Sequence, residues 1–178
     1  MELSFLLTPW IYLILGTPHW TKAMKAHLLL FALAAAPLAA QSTDTSHARM
    51  LARGQMAMGV DQSKSHHVFD DLPDGGRIEL QADSPDSTAI AAIRAHLSTI
   101  ASAFQAGNFS TPDFVHSDRV PGTGVMAAKR SVITYAFAEL PRGGEVRITT
   151  QDAEALHAIH QFLAYQRQEH HAMGHAMH

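Results

Sequence analysis

The feature that most restricts what this chain can fold into is a short stretch that occurs twice. Leu72-Pro-Asp-Gly-Gly-Arg-Ile-Glu-Leu80 is matched, 68 residues later, by Leu140-Pro-Arg-Gly-Gly-Glu-Val-Arg-Ile148. A Pro/Gly pair flanked by alternating apolar and polar residues predicts two strands joined by a turn, and its recurrence predicts an internal duplication. Each hairpin leads into a helix. In the first copy, Ser84-Pro85-Asp86 supplies a capping residue and an early proline, and Ile90, Ile93, Leu97, Ile100 and Phe104 follow at helical spacing up to Gly107-Asn108. In the second, Gln151-Asp152 leads into Leu156, Ile159 and Leu163. Two such units close into one four-stranded antiparallel sheet with two helices on one face, related by an approximate two-fold axis. The expected fold class is α+β, a duplicated hairpin-helix (ββα-ββα) unit.

The repeat also predicts which face each side chain occupies. With a four-residue loop, Phe69 stands opposite Leu80 and Asp71 opposite Ile78, so His67, Phe69, Ile78 and Leu80 share a face, as do Tyr135, Phe137, Val146 and Ile148. That apolar face looks toward the helices. His67 then holds the place of Tyr135, and aligning the helices through Ile93 and Ile159 puts His96 where the second copy has Phe162. Two inward histidines thus replace two aromatic rings. A half-buried imidazole needs partners for its nitrogens, either hydrogen-bonding groups of the core or a metal ion.

Between the copies, Gly107 to Lys129 is rich in Gly, Pro, Ser and Thr yet also holds Phe109, Phe114, Val115 and Met126, which predicts a structured loop. His116 and Met126 could fold from it over His67 and His96. Three imidazoles and a thioether suit copper, because thioether sulfur favours Cu(I) and imidazole accepts either oxidation state. The alternative for Met126 is a core plug. Near the first strand, Met56, Met58, His66 and His67 form another group of soft ligands, with His66 facing away from the helices, and residues 46–58 are expected as a short helix. His157 and His160, one helical turn apart, are either an ion-binding pair on a helix surface or incidental. Asp70 and Asp71 beside the first turn are expected to be solvated, and Asp83, Asp86 and Asp113 to be caps and loop formers. The C-terminal stretch carries His170, His171, Met173, His175, Met177 and His178 with only small residues between, a low-complexity pattern that can wrap a copper ion without a prior fold. An opportunistic metal-binding tail is the simpler alternative.

The segment from Met24 reads as an export signal: Lys25 and His27, an apolar run from Leu28 to Ala39, then Ala40 before Gln41. The expected division is 1–23 as a non-native start, 24–40 as signal peptide, 41–64 as an N-terminal segment, 65–168 as the duplicated domain and 169–178 as a mobile His/Met-rich tail. Periplasmic or secreted location follows. The apolar run from Phe5 to Leu15 is interrupted by Pro9 and is short of the roughly 20 residues that span a bilayer, so no membrane span is expected in the mature chain. With no cysteine, thiolate metal sites, covalent c-type haem and cysteine nucleophiles are excluded. A net charge of −3 and no basic block argue against nucleic acid. No nucleophile elbow, P-loop, zincin or dinucleotide motif is present, so no catalytic residue is nominated.

Arg53-Gly-Gln-Met-Ala-Met-Gly-Val60, His66-His-Val-Phe69 and the Pro-x-Gly-Gly hairpin together resemble a family of small exported bacterial proteins of unassigned function. The resemblance runs from about Arg53 to Gln166, with Val60 where Phe is usual, and implies export but no reaction. The residues themselves lead to a periplasmic or secreted copper-binding protein (buffer, carrier or resistance factor) with an internal site from His67, His96, His116 and Met126 and a capturing tail. The alternatives are a non-covalent haem protein, with His67 and Met58 or Met126 as axial ligands, and a metal-free module that binds another extracytoplasmic protein.

Overall fold

A computed structural model describes residues 45–170. Strands β1 (Ser65–Leu72), β2 (Gly75–Ala82), β3 (Ile133–Leu140) and β4 (Gly143–Thr150) form an antiparallel sheet in the order β1-β2-β4-β3. Each hairpin closes through only two residues, Pro73-Asp74 and Pro141-Arg142, since Leu72 pairs with Gly75 and Leu140 with Gly143. Proline fixes φ at the turn entry, and Gly75 leaves it at a φ of +150°, where a Cβ would strike the Ile148 carbonyl. The register expected from a four-residue loop is corrected accordingly: Phe69 stands opposite Ile78 and His67 opposite Leu80. The slip is two residues, so every side chain keeps its face. Phe69, Ile78, Leu80, Tyr135, Val146 and Ile148 are all buried.

The duplication is visible at the sheet centre. Ile78 pairs with Val146, and these hold the same place in the two copies, so the local two-fold axis passes between them. Helix α1 covers residues 45–58; α2 is Ser87–Gln105, α3 Ser110–His116, α4 Thr123–Ala128 and α5 Ala153–Glu169. Equivalent aspartates start the two long helices: Asp86 accepts from the Thr88 and Ala89 amides, and Asp152 from that of Ala155. Such caps contribute about 1 kcal/mol each.

The long helices are exchanged between the copies. Helix α2 lies mainly over β3 and β4, and α5 over β1 and, less extensively, β2. Reciprocal hydrogen bonds fix the exchange. Arg94 of α2 donates to the carbonyls of Leu140 (2.8 Å) and Gly143 (3.1 Å). At the matching place on α5, His160 Nε2 donates to the carbonyls of Leu72 (3.1 Å) and Gly75 (3.0 Å). His160 is therefore a hairpin clamp with its Nε2 already engaged, whereas His157 is exposed, in keeping with the incidental of the two readings of the pair.

The segment between the copies holds two short helices rather than a loop alone. Gly122, at a φ of +82°, lets α4 start against the Ala158 carbonyl, which a Cβ would strike. Met126 of α4 is fully buried. Ahead of β1, Met58 and Val60 belong to the same core, so α1 is integral to the fold. On the outer face of β1, Asp70 is not solvated: it is 4% exposed and accepts from Arg77 Nε at 3.1 Å, because register sets the two directly opposite on adjacent strands. Among the described residues no helix is long and apolar enough to cross a membrane.

Candidate functional site: a histidine-lined cavity

Between α1, α2, α3, α5 and the inner face of β1 and β2 lies a half-open cavity of about 570 Å³, mouth included. Phe69 and Ile78 of the sheet, Leu97, Ile100 and Phe104 of α2 and Phe162 of α5 make it apolar. Into this lining are set four imidazoles, His67, His96, His116 and His170, and the thioether of Met58. Each comes from a different element. His67 lies on the inner face of β1, its ring stacked on Phe69 at 5.5 Å and an interplanar angle of 5°. His96 sits on α2 beside Leu97. His116 is the last residue of α3, which stops because Ser117 turns to a left-handed φ of 55°. Arg53 of α1 pins that end by donating from Nε to the Val115 carbonyl at 2.7 Å. His170 caps α5, its ring centroid 5.0 Å from that of His67 and 5.3 Å from that of His116.

The rings are held in the form that binds metal. Burial pushes the His67 imidazole down to about 4, with the nearby His96 and His66 rings adding to the effect. Burial also lowers His96, opposed by a hydrogen bond to the Ala57 backbone, and His116, opposed mainly by Gln166. All three are neutral at pH 7, so no proton competes for their lone pairs. His116 shows the arrangement most clearly. Its Nε2 lies 3.1 Å from Gln166 Oε1, and a carbonyl oxygen only accepts, so Nε2 carries the hydrogen and Nδ1 keeps a bare lone pair. That Nδ1 is buried with no hydrogen-bond partner. A histidine that donates one N–H to a carbonyl while presenting the other nitrogen is how protein metal ligands are usually oriented.

Two imidazoles bound to one ion at about 2.0–2.1 Å and at a tetrahedral angle stand with ring centroids roughly 5 Å apart. The His67–His170 and His170–His116 separations have this value. Among the described residues, however, no three His, Asp or Glu side chains are already gathered into an ion-holding group. The cavity holds its imidazoles in neighbouring pairs, not in a closed cage.

Of the residues singled out in the sequence, the fold brings together His67, His96, His116, His170 and Met58. It does not bring Met126, which α4 carries into the core at 0% exposure, nor His66, which strand alternation turns to the outer face, where its Nδ1 is 2.9 Å from Asp83 Oδ1. His171, Met173, His175, Met177 and His178 lie outside the described residues, as do the proposed signal and the segment before it. Two roles escaped sequence reasoning. Gln166 orients His116, and His170 belongs to the cavity wall as well as to the tail's sequence. The spacing of Phe162, Gln166 and His170, four residues apart on one helix face, was the available signal. Gly54 was another, since a Cβ there would collide with the Gln62 side chain, whose Nε2 donates to the Leu51 carbonyl at 3.0 Å behind the cavity wall. Comparison with protein-family models, curated proteins and solved structures found no match to this chain.

Proposed function

We propose that this chain is a copper-binding protein of an extracytoplasmic compartment, acting as a buffer, carrier or resistance factor, with its metal held in the cavity by ligands drawn from His67, His96, His116, His170 and Met58. The observation that carries this reading is the unpartnered, buried Nδ1 of His116, whose ring is held by Gln166 in the wall of a cavity shared with three other imidazoles. An unpaired buried polar atom costs about 1–3 kcal/mol, and a ligand that accepts its lone pair removes that cost. Imidazole and thioether are the donor types copper prefers among biological metals, and the absence of cysteine leaves them as the soft ligands of the chain. Export is supported by the sequence pattern of residues 24–40. The tail ligands would then concentrate the ion near the cavity mouth, since His170 is both the cavity wall and the start of the tail.

The test separates cavity from tail. In the full chain, His171, Met173, His175, Met177 and His178 are replaced by alanine, and the protein is dialysed against copper and analysed for metal. About one equivalent retained, and lost in the further variant His67→Phe, supports the cavity. No retained metal and no rise in melting temperature with copper would remove the reading. The aromatic lining supplied by Phe69, Phe104 and Phe162 favours one second reading, a flat tetrapyrrole ligated by His67 or His170. A Soret band on adding haem to the same variant, with no copper retained, would select it.

A further inference from the structure

Resting on that reading, we infer that the cavity is built for a monovalent ion, Cu(I) held by two or three neutral ligands, and that it discriminates against Zn(II) and Cu(II). The first observation is charge. Among the described residues, the side chains that line the cavity include no aspartate, glutamate, lysine or arginine. With no charged side chain in the lining, a divalent ion would carry twice the uncompensated charge of a monovalent one. In an apolar, half-closed space the penalty for an unbalanced charge rises with its square. Zinc sites in proteins commonly meet this problem with thiolates or carboxylates, neither of which this lining contains.

The second observation is coordination number. The ligands stand in neighbouring pairs, His67 with His170 at 5.0 Å and His170 with His116 at 5.3 Å, and no group of three is assembled among the described residues. Zinc in a structural site takes four ligands in a tetrahedron. A closed-shell monovalent copper ion is satisfied by two or three, so fewer of these side chains have to converge on it. The third is softness. Met58 is 9% exposed and lines the same wall, and its uncharged, polarisable sulfur adds little for a hard divalent ion.

The experiment uses the full chain with the alanine-substituted tail. Under argon it is titrated against Cu(I) held by bicinchoninate, whose colour reports the free ion, and in parallel against Zn(II) and Cu(II) with chromophoric chelators. The expected result is one equivalent of Cu(I) bound at least about a hundredfold more tightly than Zn(II) or Cu(II). Met58→Leu, close in volume, should weaken Cu(I) by about tenfold and leave Zn(II) unchanged, with thermal melting confirming that the variant is folded. X-ray absorption of the Cu(I) form should show two light-atom neighbours and one sulfur. Zn(II) or Cu(II) binding as tightly as Cu(I) would overturn the monovalent assignment and leave the metal-binding reading standing. If no ion binds, both fall.

Discussion

His116 and Gln166 show how one pair of side chains can be poor for the empty fold and good for a ligand. Gln166 is 4% exposed, its Nε2 has no partner, and the neighbouring His116 Nδ1 has none either. Replacing Gln166 by Leu removes one orphan, leaves the His116 Nε2–H without its acceptor in exchange, and frees the imidazole to rotate. The expected outcome is an apo protein of about equal melting temperature whose copper affinity is about 10- to 100-fold weaker, the usual range for loss of an orienting partner. A role in packing alone would lower the melting point and leave affinity intact. His67 makes a second prediction at this scale. Its folded value, about 4, lies below the 6.5 of the open chain, so between these values the unfolded state binds the extra proton. Stability from keeping the ring neutral is complete above pH 6.5 and is lost as pH falls toward 4. Each pH unit is worth about 1.4 kcal/mol at most, and partial solvent contact reduces the total to about 1–2 kcal/mol. His67→Phe, which copies the ring class found at Tyr135, should flatten the pH dependence of the metal-free protein by that amount. Denaturant melts at pH 4.5 and 7 would show a constant difference if His67 were not the group responsible.

Between elements, the clamp of α5 on the first hairpin is made by His160 where the other copy uses Arg94, and both reach the two carbonyls that flank a Pro turn. His160→Ala should cost about 1–3 kcal/mol by leaving those carbonyls unpaired, while His160→Arg, reproducing the other copy, should restore most of it, as chemical denaturation can determine. Equal losses in both variants would mean that the ring's packing, not its hydrogen bonds, matters. What the sequence made legible at this scale was whatever is encoded locally. The strands, the two aspartate caps and the stripe from Ile93 to Phe104 follow from spacing alone. The turn length did not, because Pro-x-Gly-Gly fits loops of two or four residues and only the Gly75 backbone decides between them. Helices α3 and α4 span seven and six residues, too short to be stable in isolation, so their formation rests on tertiary contacts that periodicity does not report. Inward placement of His67 and His96 was legible because it needed only strand alternation and the repeat. Spacing left Met126 open between ligand and core plug for the converse reason: its helix, and so its direction into the core, is fixed by Gly122 meeting Ala158.

At the scale of the whole molecule, the exchange of helices makes each half dependent on the other. Helix α2 finds most of its apolar surface on β3 and β4, and α5 does so on β1 and β2, so neither ββα unit can close its own core. The cavity inherits that dependence: His67, His96 and His116 precede residue 117 in the chain, and Gln166 and His170 follow it. Ser117, Asp118 and Arg119 are exposed, which makes this the natural place to cut. Fragments 1–118 and 119–178 should each lack cooperative thermal unfolding and dispersed amide resonances, because burying the same faces within one fragment would require the helix to turn back on its own hairpin. Mixed at equimolar concentration they should recover both properties, since β2 and β4 pair directly across the two-fold axis and present a continuous surface for both helices. Copper retention, with the tail ligands replaced, should return only in the mixture. A first fragment that melts cooperatively alone would show that α2 can pack on β1 and β2, and that the exchange is one arrangement of a duplicated unit able to stand by itself; copper held by that fragment would further reduce the site to His67, His96 and His116, without the ring of α5.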